Sequence, residues 1–137
     1  MIVCPLVSGS SGNATFVSSE GTSILVDCGL SAKKLESALL SIGADPRKLD
    51  AILVTHTHGD HIMGVGTVSR KYNVPVYASS GSWETLLRNQ RLGNLAARNI
   101  RVFQSAMVRE GFSIGNIRVR FFSTPHDAYD SVGYAFH

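Results

Sequence analysis

The most informative stretch of the sequence is Thr55-His56-Thr57-His58-Gly59-Asp60-His61. It holds three of the chain's five histidines within six residues, with one aspartate between them. A single histidine in a loop is usually a solvated surface residue. Four potential ligands directly after an apolar run are more typical of a metal site. We therefore predict a metal site here, in preference to a histidine-rich surface turn.

The spacing of the four ligands predicts two ions. His56 and His58 are two residues apart, and in extended backbone such side chains point to the same side, so both imidazoles can reach one ion. Asp60 and His61 follow where the chain turns into a helix, and their adjacency directs them toward a second ion. Imidazole suits zinc, iron and manganese, whereas carboxylate favours harder ions. Two ions about 3.5–4 Å apart can share a hydroxide and hold a phosphoryl or carbonyl group.

Composition excludes several classes of protein. The 137 residues are 44% hydrophobic and 17% charged, which is an ordinary globular mixture and predicts one domain over residues 1–137. No apolar run approaches the ~18 residues of a membrane span, and the N-terminus lacks the pattern of a signal peptide. Two cysteines exclude a disulfide framework, and reduced, buried thiols predict a cytoplasmic protein. The net charge of +3 tolerates a polyanionic partner without demanding one.

Periodicity along the chain predicts an α/β fold, with a mixed sheet and flanking helices. A continuous apolar run at 51–54, Ala-Ile-Leu-Val, is typical of a strand that is buried on both faces. Ser31 is a plausible N-cap of a helix that Gly43 ends, and two more helices are expected over 61–72 and 82–90. The expected strands are 2–7, 14–18, 22–28, 50–55, 74–78, 100–104, 107–108, 117–122 and 132–136.

The chain resembles the metallo-β-lactamase superfamily, whose motif T/S-H-x-H-x-D-H is met in full by residues 55–61. The segment 24–29, Ile-Leu-Val-Asp-Cys-Gly, looks like the motif that precedes it in that family. The resemblance implies that Asp27 supports residues 55–61, the metal loop, by contacting the ligands rather than the ion, although Asp27 could also be a simple turn former at a strand end. It also implies that His126 joins His56 and His58 on the first ion, and that Asp60 and His61 hold the second.

Residues around His126 favour a phosphodiesterase branch of the superfamily. The lactam and thioester branches usually follow this histidine with Thr-x-Gly, whereas here Asp127 and Ala128 follow it. Together with the loop at 8–13 and the segment 27–31, this is most similar to the YycJ/WalJ-type, exonuclease-like phosphodiesterases. The resemblance implies a hydrolase that uses two divalent ions, zinc or manganese, to activate water on a nucleic acid or another phosphodiester, with Asp60 orienting the attacking hydroxide.

The superfamily fold is an αβ/βα sandwich of two related halves, usually longer than 200 residues. Its second half should supply a bridging aspartate and a last histidine, and nothing after His126 matches that pair. We therefore expect the chain to be the N-terminal half of a longer enzyme. Half a sandwich would expose apolar sheet surface, which favours a homo-oligomer.

Other residues carry weaker signals. Backbone N–H groups of a glycine-rich loop could bind phosphate, although a plain tight turn explains the loop equally well. Four arginines in one segment could follow a nucleic-acid backbone, but more often such charges solvate a surface. Trp83 fits the core or an interface better than a base-stacking platform. The loop comprises Gly9, Ser10, Ser11, Gly12 and Asn13, and the arginines are Arg88, Arg91, Arg98 and Arg101.

Two alternatives remain open at this stage. One is another hydrolase of the same fold that acts on a thioester or a lactam. The other is a non-catalytic metal-binding or interaction domain that retains half a site. The sequence does not distinguish DNA, RNA and a small phosphodiester as substrate, nor zinc from manganese.

Overall fold

The computed structural model describes residues 1–104, 110–124 and 129–137. The expected strand at 107–108 and the residues His126, Asp127 and Ala128 lie outside these ranges. The described part contains a six-stranded sheet, a three-stranded sheet and four α-helices. This arrangement agrees with the predicted mixed sheet and flanking helices.

The six-stranded sheet runs in chain order from one edge to the other. Its first three strands are antiparallel, and strands three to six are parallel, so helices make the parallel crossovers. The strands are β1 (Ile2–Val7), β2 (Ala14–Ser19), β3 (Thr22–Val26), β4 (Ala51–Leu53), β5 (Val76–Ser79) and β6 (Ile100–Phe103). The helices are α1 (Ala32–Ser41), α2 (Gly59–Ile62), α3 (Val65–Tyr72) and α4 (Ser80–Leu86), and 3₁₀ turns occupy Pro46–Lys48 and Ala97–Asn99.

The second sheet is an antiparallel meander of β7 (Phe112–Ile114), β8 (Ile117–Ser123) and β9 (Val132–Phe136). It packs on the face of the first sheet that the helices leave uncovered. Strand β4 shows the layering, because Ile52 lies in the apolar cluster with the helices while Leu53 contacts the cluster formed with β7 and β8. Its apolar run is therefore buried on both faces, as predicted.

Several helix and strand ends follow local chemistry. Ser31 caps α1, since its side chain accepts a hydrogen bond from Lys34 N–H, and Leu35 and Leu39 face the core. Strand β3 ends one residue before Asp27, which has a left-handed φ of 60° and turns the chain out of the sheet. Helix α4 begins at Ser80 rather than 82, because Ser79 caps it, and it ends at Leu86 rather than 90.

The single helix expected over 61–72 is wrong, because α2 and α3 are separate helices. The chain breaks at Gly64, whose N–H donates to Cys28 O at 2.9 Å. A Cβ at this position would lie 1.8 Å from Leu30 O, so any residue other than glycine would clash with the main chain of Leu30. Strand β7 is an element that the sequence analysis did not predict.

Among the described residues no helix is long and apolar enough to cross a bilayer. Trp83 is buried and donates its indole N–H to Arg101 O at 2.8 Å. It is therefore a core residue, as the sequence analysis favoured. Both cysteines are free, but only Cys28 is fully buried, and Cys4 is partly exposed.

The two thiols should differ sharply in reactivity. Burial raises the pKa of Cys28 to about 12, so almost no thiolate forms at pH 8. We expect iodoacetamide at pH 8 to alkylate Cys4 and to spare Cys28 until the protein is unfolded, as read by peptide mass spectrometry. Equal labelling of both cysteines in the folded protein would contradict the packing of Cys28.

Candidate metal centre

The predicted ligand cluster lies at the carboxyl end of β4, where the chain leaves the sheet and enters α2. Ring centroids of His56 and His58 are 4.9 Å apart, and those of His56 and His61 are 3.9 Å apart. The Nε2 atom of His61 lies 3.7 Å from Oδ2 of Asp60. Two atoms that bind one zinc ion at about 2.1 Å in tetrahedral geometry are about 3.4 Å apart, so this pair is close to a chelating separation. The fold thus brings the four residues of the motif together.

Asp27 connects three parts of the site. Its carboxylate accepts the Thr55 N–H at 2.8 Å and the Thr55 hydroxyl at 2.6 Å. It also lies 2.7 Å from Nδ1 of His61. Asp27 is only 4% exposed, so these donors take the place of water around a buried charge. Asp27, His56 and His61 offer ligand atoms within 4.8 Å of one another. Because its oxygens already accept three hydrogen bonds, Asp27 is better suited to orienting the ligands than to binding an ion itself.

Hydrogen bonds to Thr55 and Asp27 select the tautomers of two histidines. The Thr55 hydroxyl donates its proton to Asp27, so it accepts from Nδ1 of His56, which lies 2.9 Å away. The Asp27 carboxylate likewise requires a proton on Nδ1 of His61. In both rings Nε2 then carries the lone pair that a metal ion needs. The chemistry of the donor set therefore fits a divalent ion.

The carboxylates around His61 also affect its protonation. Burial lowers the pKa of His61, but the hydrogen bond to Asp27 and the negative charges of Asp27 and Asp60 outweigh it, so the pKa is raised overall. The same negative charges attract a cation to this position.

The second sheet contacts the metal loop and the residue before it. Val132 N–H at the start of β9 donates to Thr55 O at 2.9 Å, and the hydroxyl of the partly buried Tyr134 donates to Val54 O at 2.6 Å. Thr124 follows the end of β8, and Ser131 precedes the start of β9. Their hydroxyls are hydrogen-bonded to each other, and Thr124 N–H donates to Ser131 O. The end of β8 and the start of β9 therefore lie beside the metal loop.

Residues 9–13 form a loop that packs on the metal loop. Gly9 N–H donates to the Asn13 side chain, Gly12 N–H donates to Gly9 O, and Asn13 N–H donates to Asp60 O. Three of the five N–H groups in the loop therefore donate within the protein. The phosphate-binding role of this loop stays a prediction. The sequence analysis did not predict that this loop contacts Asp60, because a run of small residues does not indicate which distant segment it will pack against.

The arginines of the 88–101 segment differ in their contacts. Arg98 donates to Asn73 Oδ1, and Arg101 Nε donates to Arg98 O. Arg91 lines a groove of about 400 Å³ together with Gly59 and Ile62 of α2. The contact of these arginines with a nucleic-acid backbone stays a prediction.

Comparison with known proteins identifies the family of this chain. A family model of the metallo-beta-lactamase superfamily matches residues 7–132. The chain belongs to this superfamily. The predicted fold is thereby confirmed, and the resemblance to the YycJ/WalJ branch is confirmed by the two relatives described next. Members of this fold bind divalent metal ions, commonly zinc.

Two relatives are similar over almost the whole chain. An exodeoxyribonuclease WalJ of Streptococcus pneumoniae is 38% identical over 131 residues, which are 96% of this chain and 48% of the relative. An exodeoxyribonuclease YycJ of Bacillus anthracis is 37% identical over 132 residues, with the same two shares. The chain thus spans about half the length of these curated relatives.

Solved structures confirm the fold alone. The Rm3 metallo-beta-lactamase is 22% identical with a TM-score of 0.71, covering 93% of this chain and 51% of its own. The class B3 di-zinc enzyme LRA-12 from an Alaskan soil metagenome is 13% identical with a TM-score of 0.75, covering 92% and 52%. At such identities the lactamase activity of these proteins does not transfer to this chain.

The network around Asp27 can be tested by Asp27→Asn. The substitution keeps the shape but removes the charge and turns an NH₂ group toward donors, so we expect a loss of about 2–3 kcal/mol in the free energy of unfolding. Chemical denaturation in EDTA measures this loss.

Asp50→Asn is the matched control, because exposed Asp50 accepts one hydrogen bond, from Ser23 N–H at 2.9 Å. It should cost less than about 1 kcal/mol. Equal losses in the two variants would contradict a special role of Asp27.

Proposed function

We propose that this chain carries the metal-binding part of a metal-dependent phosphodiesterase, an exonuclease-like hydrolase of nucleic acid. The observation that carries the proposal is the network in which Asp27 and Thr55 place the proton of His56 and of His61 on Nδ1, so that Nε2 of both rings can bind an ion. A phosphodiester substrate is favoured over a lactam or a thioester by the exodeoxyribonuclease names of the relatives with 37–38% identity.

Each residue of the site has a role in this proposal. His56, His58 and His126 would hold the first ion, and Asp60 with His61 would hold the second. His126 lies outside the described residues, and its place rests on the family motif and on the strands that end beside Thr55. Zinc and manganese both suit these histidine and carboxylate ligands. Asp27 keeps the two imidazoles in the required tautomer.

Bound divalent ions would lower the pKa of water toward neutrality and neutralise phosphoryl oxygens. The carboxylate of Asp60, about one third exposed at the mouth of the site, would orient the attacking water. Arg91, which lies along the groove beside α2, would contact the phosphate backbone of a bound strand.

Further parts of the proposal concern the whole protein. We propose a cytoplasmic location from the two free thiols. Exposed apolar residues at the β1 edge and on α1, such as Ile2, Val3 and Leu40, would favour a homo-oligomer. Residues 1–137 would form one metallo-β-lactamase-like unit of a longer enzyme.

Metal content is the first test. We expect elemental analysis of protein purified without chelator or nickel affinity to find at least one divalent ion per chain. His56→Ala should lose that ion, whereas His137→Ala, a histidine at the end of β9, should retain it. Protein that binds no divalent ion would contradict the proposal.

The substrate class is tested on the metal-loaded protein with 5′-labelled single-stranded DNA, a chromogenic phosphodiester and a chromogenic cephalosporin. We expect phosphodiester cleavage that EDTA abolishes and that zinc or manganese restores. His58→Ala should reduce the rate at least about 100-fold, with His137→Ala again as control. Turnover of the cephalosporin without cleavage of either phosphodiester would overturn the proposal.

A further inference from the structure

The side chain of Asn13 joins the β1–β2 loop to Asp60. Its Nδ2 donates to Asp60 Oδ2 at 3.0 Å, and also lies 2.9 Å from Gly9 O and 3.3 Å from Asp60 O. Its Oδ1 accepts Gly9 N–H at 3.2 Å. All acceptors lie at the NH₂ end of the amide, and the one donor lies at the oxygen end. This distribution fixes which way the amide points.

Main-chain hydrogen bonds also place Asn13 beside Asp60, and they do not depend on the Asn13 side chain. Asn13 N–H donates to Asp60 O at 2.8 Å, and Gly29 N–H donates to Asn13 O at 2.9 Å. A Cβ on Gly29 would lie 1.8 Å from Asp60 O and 2.8 Å from Asn13 N. The absence of a side chain at Gly29 is therefore what lets the three segments meet.

Asp60 needs an orienting partner. Its side chain is about one third exposed, so a carboxylate without such a partner would occupy several rotamers in water. A carboxylate oxygen has two lone-pair directions. The Asn13 NH₂ group occupies one direction on Oδ2, while the same oxygen lies 3.7 Å from His61 Nε2.

We propose that Asn13 is a positioning residue that orients the Asp60 carboxylate toward the ion shared with His61. The inference rests on the proposed metal function, in that the ion is the one assigned to Asp60 and His61. Asn13 touches neither substrate nor ion; it fixes the direction of one ligand. Because the same amide also closes the 9–13 loop through Gly9, the conformation of that loop and the direction of Asp60 are coupled through one side chain.

The first experiment needs no metal. In EDTA, Asn13→Asp replaces the donating NH₂ with a charged oxygen that faces Asp60, and should lower the melting temperature by about 4 °C. Asp60→Asn in the same chain supplies an amide to the new carboxylate, so the double variant should recover most of that loss. Additive effects of the two substitutions would overturn the proposed contact.

The second experiment measures the affinity of each zinc ion by competition with a chelating indicator. Asn13→Ala removes the orienting amide without adding a charge, so it should weaken the ion assigned to Asp60 and His61 about 10- to 100-fold and leave the other within about twofold. Asn116→Ala is the matched control, because that exposed asparagine contacts Glu20 far from the site, and it should change neither affinity. Equal weakening of both ions, or of neither, would overturn the positioning role.

The two experiments separate this inference from the proposed function. If the parent chain binds no divalent ion, the metal function fails while the rescue in EDTA still decides whether Asn13 orients Asp60. If ions bind and the double variant shows no recovery, the metal function stands and the role of Asn13 is wrong.

Discussion

The buried carboxylate of Asp27 is the interaction on which the rest of the site depends. A charge that is 4% exposed is tolerable only when donors replace water, and here the Thr55 backbone, the Thr55 hydroxyl and the His61 ring do so. Asp27 follows the end of β3, Thr55 follows β4, and His61 lies on α2. One side chain therefore fixes the relative positions of two strand ends and a helix. Its φ of 60° is the local strain that aims the carboxylate at these donors.

Sequence reasoning succeeded where the chemistry is local. The two-sided burial of β4 and the spacing of the 55–61 motif both depend on residues within one or two strand lengths. It failed where a distant chain segment decides the outcome. The break between α2 and α3 arises because Leu30 O occupies the place of a Cβ at Gly64. The contact between Asn13 and Asp60 spans 47 positions, and an asparagine after small residues gives no sign of it.

The fold explains why the residues of the site meet although Asp27 is far in sequence from the 55–61 motif. The carboxyl ends of β3 and β4 lie side by side because the two strands are parallel neighbours, with Val26 paired to Leu53. The second sheet then approaches the same strand end through Val132 and Tyr134, which hydrogen-bond to the carbonyls of Thr55 and Val54. The motif supplies residue types, whereas the position of the cluster follows from strand order and from where the two sheets touch.

The site is largely preformed by main-chain contacts, and this bears on how it would bind an ion. Residues 12–13, 27–30 and 60–64 are joined by hydrogen bonds from Asn13 to Asp60, from Cys28 to His61 and from Gly64 to Cys28. Glycine at positions 29 and 64 removes the side chains that would separate them. The ligands therefore need little reordering when an ion binds, so little conformational entropy would be lost. What the main chain cannot fix is the rotamer of a partly exposed carboxylate, and in this site the only such ligand of the 55–61 motif, Asp60, is the one that a neighbouring amide restrains.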